Sequence, residues 1–384
     1  MIKLVADTID NNDIDQLIDW LKTYPRLTKS VKTIEFEDKW SKWLGVKHSI
    51  FCNSGSSANL LMLYALLEAG YISADSKVVV PSSSWATDLS PVIQLGLKPV
   101  LCDANLDNFS VDLKHLEQIF KDENPSTLIL VSVLGLVPDM DEISKLCKKY
   151  DVILIEDVCE SLGSKHKDKK LGTFGVMSSF STYFGHHIST IEGGIISTDD
   201  NYLFNILKSI RSHGWDRDMD DKYKSSLRKE WNISEFDSLY TFYYSGFNMR
   251  STDLQAYIGI NQIDKIDKSC KIRNKNYDLY HKLIKNDYWK PKRYDDRFVS
   301  NFAYPVIHPK RDEIVKKLQD NDIEVRPMIC GSMGTQPFYV KRYGKLSLPN
   351  VSIIDKFGFY IPNHTGLSGE DVKFISKIIN KEIQ

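Results

Sequence analysis

The residues best suited to chemistry lie in three polar segments that each follow an apolar run. The first is "NSGSSANLL" (53–61), where Gly55 permits a tight turn and a helix is predicted from Ser56 or Ser57. Free backbone N–H groups at a helix start, with two hydroxyls beside them, form a site for an anion such as phosphate. The alternative is an ordinary strand-to-helix turn with a serine cap.

The second segment, "ILIEDVCESLGS" (153–164), places Asp157 and Glu160 at the end of an apolar strand. An acid that emerges from a buried strand needs a cation, a metal or a strong hydrogen-bond donor. A protonated heterocycle would meet that need, because a neighbouring carboxylate keeps the proton on the ring. The alternative is a pair of surface acids after a strand.

The third segment, "SSFSTYFGHHISTIEGG" (178–194), is predicted to begin as a strand, with Ser181 and Thr182 as donors. Two adjacent histidines, His186 and His187, follow it. Neighbouring side chains on an extended backbone point to opposite sides, so at most one histidine should face a shared site. We expect His187 to be the packing neighbour. A purely structural role for both is the alternative.

The elements that must position these segments alternate between short apolar strands and amphipathic helices. Strands are predicted at 48–54, 77–83, 98–103, 126–133 and 151–157. This pattern indicates an α/β sheet covered by helices on both faces, with its sites at the strand ends. Beyond about residue 250 the pattern changes to a long helix (253–285), short strands and a C-terminal helix from Ser368. We predict a large domain over 1–249, N-terminal helices included, and a smaller α+β domain over 250–384.

Composition excludes several classes of protein. The 384 residues carry a net charge of −1, which predicts neither a nucleic-acid nor a membrane partner. Neither a signal peptide nor an apolar run of about 18–20 residues is present, so we expect a cytoplasmic protein. The six cysteines form no closely spaced pair and are expected to be reduced thiols: Cys52, Cys102, Cys147, Cys159, Cys270 and Cys330. A metal site at His186 and His187 lacks a third ligand at suitable spacing, so no metal is predicted.

Together the segments resemble a known family. "SGSSANLL", "VPSSSWATDLSPV", "EDVCESLGS", "GTFGVMSSFS", "IEGGIISTDD", "GFNMRSTDLQAYIG" and the late "RPM" are similar to motifs of the DegT/DnrJ/EryC1/StrS sugar aminotransferases. The resemblance runs from about residue 30 to the C-terminus. It implies the aspartate-aminotransferase-like (type I) fold, pyridoxal 5′-phosphate (PLP) or pyridoxamine 5′-phosphate (PMP) as cofactor, and a homodimer with shared sites.

The resemblance also implies roles for individual residues. The implied cofactor-binding residues are Gly55, Ser56, Ser57 and Ser181 for the phosphate, Trp85 for stacking on the pyridine, Asp157 for the ring nitrogen, Glu160 for the ring hydroxyl, and Asn248 for the phosphate of the neighbouring subunit's cofactor. His213, Arg217 and Arg250 are candidates for binding the sugar or diphosphate, since arginine gives bidentate phosphate contacts. Surface exposure or ion pairing within the fold is the alternative for these three.

One departure from the family pattern bears on function. The aminotransferases have a lysine eight residues before the final glycine of "EGG", where it forms a Schiff base with the cofactor; here that position is His186. Imidazole moves protons near neutral pH but forms no stable Schiff base. The exchange is similar to that in the PMP-dependent sugar 3-dehydratases of dideoxysugar biosynthesis. His186 would then be the catalytic base.

The implied reaction removes the C3 hydroxyl of a nucleotide-linked 4-keto-6-deoxyhexose, with L-glutamate as amino donor. GDP-4-keto-6-deoxymannose is the favoured substrate, because the chain lacks the paired cysteines of the iron–sulfur type and shares Trp85 and "RSHGWDR" with the GDP-linked type. Two alternatives stay open: a nucleotide-sugar aminotransferase that works without the lysine, and a ligand-binding relative without activity.

Overall fold

The computed structural model describes residues 1–329 and 331–383, and its centre is a seven-stranded mixed sheet. The strands of the chain are β1 (His48–Cys52), β2 (Lys77–Pro81), β3 (Lys98–Cys102), β4 (Thr127–Val131), β5 (Ile153–Asp157), β6 (Lys165–His166), β7 (Lys169–Lys170), β8 (Met177–Ser181), β9 (Gly194–Thr198), β10 (Arg297–Phe298), β11 (Ala303–Ile307), β12 (Arg326–Pro327) and β13 (Gly358–Pro362). The central sheet has the order β1-β9-β8-β5-β4-β2-β3. Strands β3, β2, β4, β5 and β8 run parallel, and β9 pairs antiparallel with β8 and β1.

Helices cover the central sheet, which confirms the predicted α/β fold. The helices are α1 (Asn11–Leu21), α2 (Val31–Leu44), α3 (Gly55–Glu68), α4 (Ala86–Gln94), α5 (Leu113–Glu123), α6 (Met140–Lys149), α7 (Asn201–Ile210), α8 (Asp221–Glu230), α9 (Asp253–Ile263), α10 (Ile266–Leu283), α11 (Arg311–Gln319), α12 (Pro337–Tyr343), α13 (Pro349–Phe357) and α14 (Gly369–Ile383). Strand β4 is buried along its whole length, as the absence of polar alternation predicts.

The N-terminal helices pack against this sheet through aromatic side chains. Phe36 of α2 meets Phe51 of β1 at 4.7 Å between ring centroids, and Trp40 meets Phe180 of β8 at 5.1 Å. All four rings are almost fully buried. This contact fixes α2 beside the strands whose ends carry the first and third polar segments.

The C-terminal part contains a second, three-stranded antiparallel sheet in the order β11-β13-β12. The single helix predicted over 253–285 is two helices, α9 and α10, separated at Asp264 and Lys265. Helix α9 packs on α2, whereas α10 packs on α14, and the break lets each follow its own partner. Lys265 at the break binds Asp13 of α1 at 2.6 Å. The domain boundary near residue 250 stays a prediction.

Strand β8 is shorter than predicted and ends at Ser181, whose register partner Gly194 begins β9. Beyond it the chain turns, so His186 and His187 lie in a turn and not on extended backbone. Four of the described cysteines are buried and all five are free thiols, while Cys330 lies outside the described residues. In the part of the chain described here, helices of sufficient length and apolarity to cross a membrane are absent.

Candidate functional site

The three polar segments meet in a cleft of about 300 Å³. It lies where β4, β5 and β8 end and where α3 begins. Gly55, Ser56, Asp157, Glu160, Ser181 and His186 all line it, and Trp85, at the start of α4, forms part of the wall. The sheet topology therefore brings together residues that are up to 131 positions apart in sequence, counted from Gly55 to His186.

The first turn of α3 forms the polar floor of the cleft. Ser54 caps the helix, and its hydroxyl accepts the N–H of Ser57 at 3.1 Å. Ser56 faces the cleft and its hydroxyl donates to Thr87 at 3.1 Å, while Ser57 is not among the lining residues. A Cβ at Gly55 would lie 2.8 Å from the Cβ of Ser181, so only glycine leaves room between the two. The serine cap that the sequence offers as an alternative is therefore present, at Ser54. The Ser56 hydroxyl remains on the cleft side.

Asp157 is a buried acid held by two donors. The backbone N–H of Cys159 donates to its Oδ1 at 2.8 Å, and Asn59 Nδ2 donates to its Oδ2 at 2.6 Å. The side chain is 6% exposed, and that exposure faces the cleft. A carboxylate in this position can pair with a cation that enters the cleft.

Glu160 is buried next to Asp157, and its Oε2 accepts the N–H of Leu134 at 2.5 Å. Burial raises the pKa of Glu160 to about 8, and the neighbouring Asp157 charge acts in the same direction. At neutral pH this carboxyl is therefore mostly protonated and can donate a hydrogen bond to a ligand oxygen.

The two histidines have different environments. His186 lines the cleft, and its Nδ1 is buried without a hydrogen-bond partner among the described residues. Burial lowers the pKa of His186 to about 4; the Arg273 guanidinium adds to this and Asp157 opposes it. His187 is fully buried, and its Nε2 lies 2.9 Å from the carbonyl oxygen of Ser300. Thus only His186 presents a neutral imidazole to the cleft.

The remaining candidates form a second group, here named the 213–250 cluster: His213, Trp215, Arg217, Asn248 and Arg250. None of them is among the residues that line the cleft. Arg217 lies over the Trp215 ring at 3.9 Å. Arg250 Nη2 is 3.4 Å from His213 Nε2, and its Nε donates to Asn248 Oδ1 at 3.1 Å. The roles of these residues stay predictions.

Sequence reasoning missed several residues that the cleft contains, notably Asn59, Asp88 and Tyr183. Asp88 is fully buried, and both its oxygens accept hydrogen bonds, from Asn59 Nδ2 at 3.0 Å and from the N–H of Trp85 at 3.0 Å. The sequence signal for Asp88 as a site residue was its position in the first turn of α4, a helix that follows the end of β2. Metal-ligating groups of three or more side chains do not occur in the described residues.

A pyridine phosphate fits these residues by three observations of the structure. Gly55 leaves open a space beside the Ser181 hydroxyl that a Cβ would fill. Asp157, a buried carboxylate, and His186, whose Nδ1 has no hydrogen-bond partner among the described residues, line the same cleft. Trp85 is 52% exposed beside them, so a flat ring has an indole to stack on.

Comparison with known proteins identifies the family. The model of the DegT/DnrJ/EryC1/StrS aminotransferase family matches residues 7–380. The chain belongs to this family. A GDP-4-keto-6-deoxy-D-mannose 3-dehydratase from Yersinia pseudotuberculosis is 31% identical over 98% of this chain and 96% of its own length. A GDP-perosamine synthase from Caulobacter vibrioides is 28% identical over 97% of this chain and 95% of its own length.

Solved structures of the DegT/DnrJ/EryC1/StrS family agree with the fold. Two structures of GDP-4-keto-6-deoxymannose-3-dehydratase each superpose with a TM-score of 0.91 and 28% identity, covering 99% of this chain and 100% of theirs. One holds GDP-perosamine, and the other holds a trapped PLP–glutamate geminal diamine. The predicted type I fold is therefore confirmed, and the predicted cofactor is the one bound in this relative.

Proposed function

We propose that this protein is a PLP/PMP-dependent 3-dehydratase that removes the C3 hydroxyl from a nucleotide-linked 4-keto-6-deoxyhexose. The observation that carries this proposal is His186. By the resemblance to the family motif it stands at the family's lysine position. It presents a neutral imidazole, whose Nδ1 has no partner among the described residues, to a cleft whose described lining contains no lysine. Without a lysine the cofactor has no covalent tether, and it is held by contacts alone.

The residues at the floor and wall of the cleft would hold the cofactor. The start of α3, with Gly55 and Ser56, and the Ser181 hydroxyl would bind the phosphate. Trp85 would stack on the ring, and Asp157 would pair with its nitrogen. When bound, the pyridine ring supplies an electron sink for carbanion chemistry. Asp157 serves that chemistry by keeping a proton on the ring nitrogen, and Glu160 by donating to the ring oxygen.

His186 would move the protons. Because its pKa is lowered to about 4, the imidazole is neutral at pH 7 and can accept a proton from the C4′ carbon of the cofactor. The imidazole nitrogen that has accepted the proton can then return it to the C3 oxygen of the sugar as that oxygen leaves. Arg273 Nη2 donates to the carbonyl oxygen of His186 at 3.5 Å and so ties the turn that carries the base to α10.

The substrate proposal favours GDP-4-keto-6-deoxymannose, since relatives that match nearly the whole chain act on that sugar nucleotide by name. L-Glutamate would regenerate PMP. The protein would act as a cytoplasmic homodimer in which Asn248, and with it the 213–250 cluster, reaches the partner's cleft. This arrangement gives the cluster a role although it lies outside the cleft of its own chain.

The test is a reaction with purified protein, PMP, L-glutamate and GDP-4-keto-6-deoxymannose, followed by mass spectrometry of the sugar nucleotide and an ammonia assay. We expect a 3-deoxy product and ammonia in equal amounts. In the variant His186→Lys we expect loss of that product and retention of PLP through dialysis after borohydride reduction. Accumulation of a 4-aminosugar by the wild-type protein would instead establish a transaminase.

The aminotransferase alternative has support of its own, because GDP-perosamine synthase and UDP-sugar transaminases are among the relatives. The same reaction mixture separates the two functions by product. An unchanged sugar nucleotide in the presence of bound PMP would favour the ligand-binding alternative.

A further inference from the structure

A second buried carboxyl, that of Asp88, lies beside Asp157. Asp88 is 0% exposed, and Asn59 Nδ2 donates to both acids, at 2.6 Å to Asp157 and at 3.0 Å to Asp88. One nitrogen thus bridges the two carboxyls and holds them side by side. Two carboxylates in contact in a buried site cannot both be ionised, so the pair must retain a proton.

The lengths of the hydrogen bonds and the exposure of the two acids indicate which one retains it. Each acid accepts two N–H donors, but those to Asp157 are shorter, at 2.6 and 2.8 Å, than those to Asp88, both at 3.0 Å. Asp157 is 6% exposed, whereas Asp88 is 0% exposed. Burial and the adjoining Asp157 raise the pKa of Asp88 well above its ordinary value, and Glu160 adds to this. The groups that face Asp88 are thus two further acids, Asp157 and Glu160, and the Cys159 thiol, whose own pKa burial raises.

We propose that Asp88 is a positioning residue: a carboxylic acid that is protonated at neutral pH and donates a hydrogen bond to the Asp157 carboxylate. It fixes the Asp157 carboxylate and leaves it as the single full negative charge that meets the cofactor nitrogen. The inference rests on the proposed place of that nitrogen against Asp157, but not on which reaction the enzyme performs.

The chain contains a matched control for Asp88. Asp13 has the same place in its helix, since its Oδ2 accepts the N–H of Asp10 at 2.9 Å just as Asp88 accepts that of Trp85. It is likewise buried, at 1% exposure. Asp13, however, pairs with the Lys265 ammonium at 2.6 Å, where Asp88 meets another acid. A variant at either site therefore loses a buried capping acid. Of the two, the Asp88 variant alone is expected to lose a neutral carboxyl.

Infrared difference spectroscopy at neutral pH tests this directly, without cofactor or substrate. Subtracting Asp88→Asn from wild type should show a lost carboxylic-acid C=O band, and subtracting Asp13→Asn should show none. The Glu160→Gln difference assigns the other neutral carboxyl, whose band should fade as the pH passes about 8. The Asp88 band should persist there. Absence of a lost band in Asp88→Asn would overturn the proposal.

Cofactor binding gives the second readout. Asparagine imitates a neutral acid, so Asp88→Asn should bind PMP within about threefold of wild type, whereas Asp88→Ala should bind about tenfold more weakly. Equal affinities for the two variants would show that Asp88 does not position Asp157. If Asp88→Asn fails to fold, wild-type protein with ¹³C-labelled aspartate should still show one side chain protonated at neutral pH by NMR. A failure of the dehydration assay would leave the infrared result standing, so the two proposals fail separately.

Discussion

The cleft and the 213–250 cluster both combine polar side chains with an imidazole and an indole, but they differ in charge. In the cleft, buried acids and a neutral imidazole face one another, and the described lining has neither lysine nor arginine. In the cluster, two arginines lie against aromatic and imidazole rings, with Arg217 and Asn248 exposed. We therefore expect the cleft to stabilise a cationic ring and the cluster to meet an anion, and both roles stay predictions.

The two regions also differ in how the backbone holds them. Cleft residues sit at strand ends and at the first turns of helices, whereas the cluster depends on a close crossing of two glycines. A Cβ on Gly246 would lie 2.1 Å from the backbone nitrogen of Gly214. His213 beside it adopts φ +64°, a conformation uncommon for residues other than glycine. Strain of this kind is retained where the surrounding structure fixes it, frequently at functional sites.

The largest expected effect comes from the imidazole of the cleft. His186→Asn should lower kcat for C3 deoxygenation by about 10²–10⁴-fold, because it removes the group that carries the proton. PMP affinity should stay near that of wild type. His213→Asn, in the cluster, should raise KM while changing kcat only a few-fold. Equal losses of kcat in the two variants would contradict the division between a cleft for chemistry and a cluster for binding.

Arginine variants test the cluster itself. A charged hydrogen bond contributes roughly 1.5–3 kcal/mol, so Arg217→Ala or Arg250→Ala should weaken GDP binding about 10–100-fold. Isothermal titration with GDP, CDP, UDP and dTDP measures this and also ranks the nucleotides. Arg342→Ala on α12, whose guanidinium bonds its own helix at Phe338, is the matched control. If all three variants bind GDP as wild type does, the cluster is structural.

Sequence patterns predict which strand ends form the cleft, whereas the roles of the residues there and in the 213–250 cluster stay predictions. Asp157 and Glu160 could be placed because an apolar run fixes where β5 ends, and parallel strands end at one edge of the sheet. The structure has His186 at the cleft, but in a turn and not on the extended backbone that the sequence predicts, and its catalytic role stays a prediction. Asp88 could not be identified as a site residue, since an acid three residues after an N-cap looks like an ordinary capping residue. The Asn59 amide that it shares with Asp157, 69 positions away, reveals the difference.

The break between α9 and α10 escaped prediction for a related reason. Neither proline nor glycine marks Asp264 and Lys265, and the polar pattern continues through them. Long-range packing against α2 on one side and α14 on the other decides the bend. Local propensity is a weak guide where tertiary contacts compete.

Titration of Glu160 provides the next test of the acidic cleft. Its pKa of about 8 means that the carboxyl ionises as the pH rises through that value, which places a second negative charge beside Asp157. A neutral Glu160 donates to the ring oxygen and an ionised one repels it. PMP affinity should therefore fall above pH 8, by up to about tenfold per unit, since one proton is linked to binding. In Glu160→Gln this fall in PMP affinity should disappear. If the variant keeps the pH profile of wild type, Glu160 is not the group whose ionisation weakens PMP binding.

The smallest expected effect concerns Trp85, and it tests whether the cleft wall is a stacking surface. An indole that is 52% exposed leaves apolar area in water until a flat ligand covers it. Ring stacking contributes about 0.5–1.5 kcal/mol, so Trp85→Ala should weaken PMP binding roughly two- to tenfold, and Trp85→Phe should recover most of that loss. Trp231, 63% exposed just after α8 and outside the cleft lining, is the control, and its alanine variant should bind PMP normally. Since His186 cannot tether the cofactor, the dissociation rate of PMP should report this contact directly in stopped-flow fluorescence. If Trp85→Ala leaves this rate unchanged, the cofactor is retained by Asp157 and by the proposed phosphate site at the start of α3, without a contribution from Trp85.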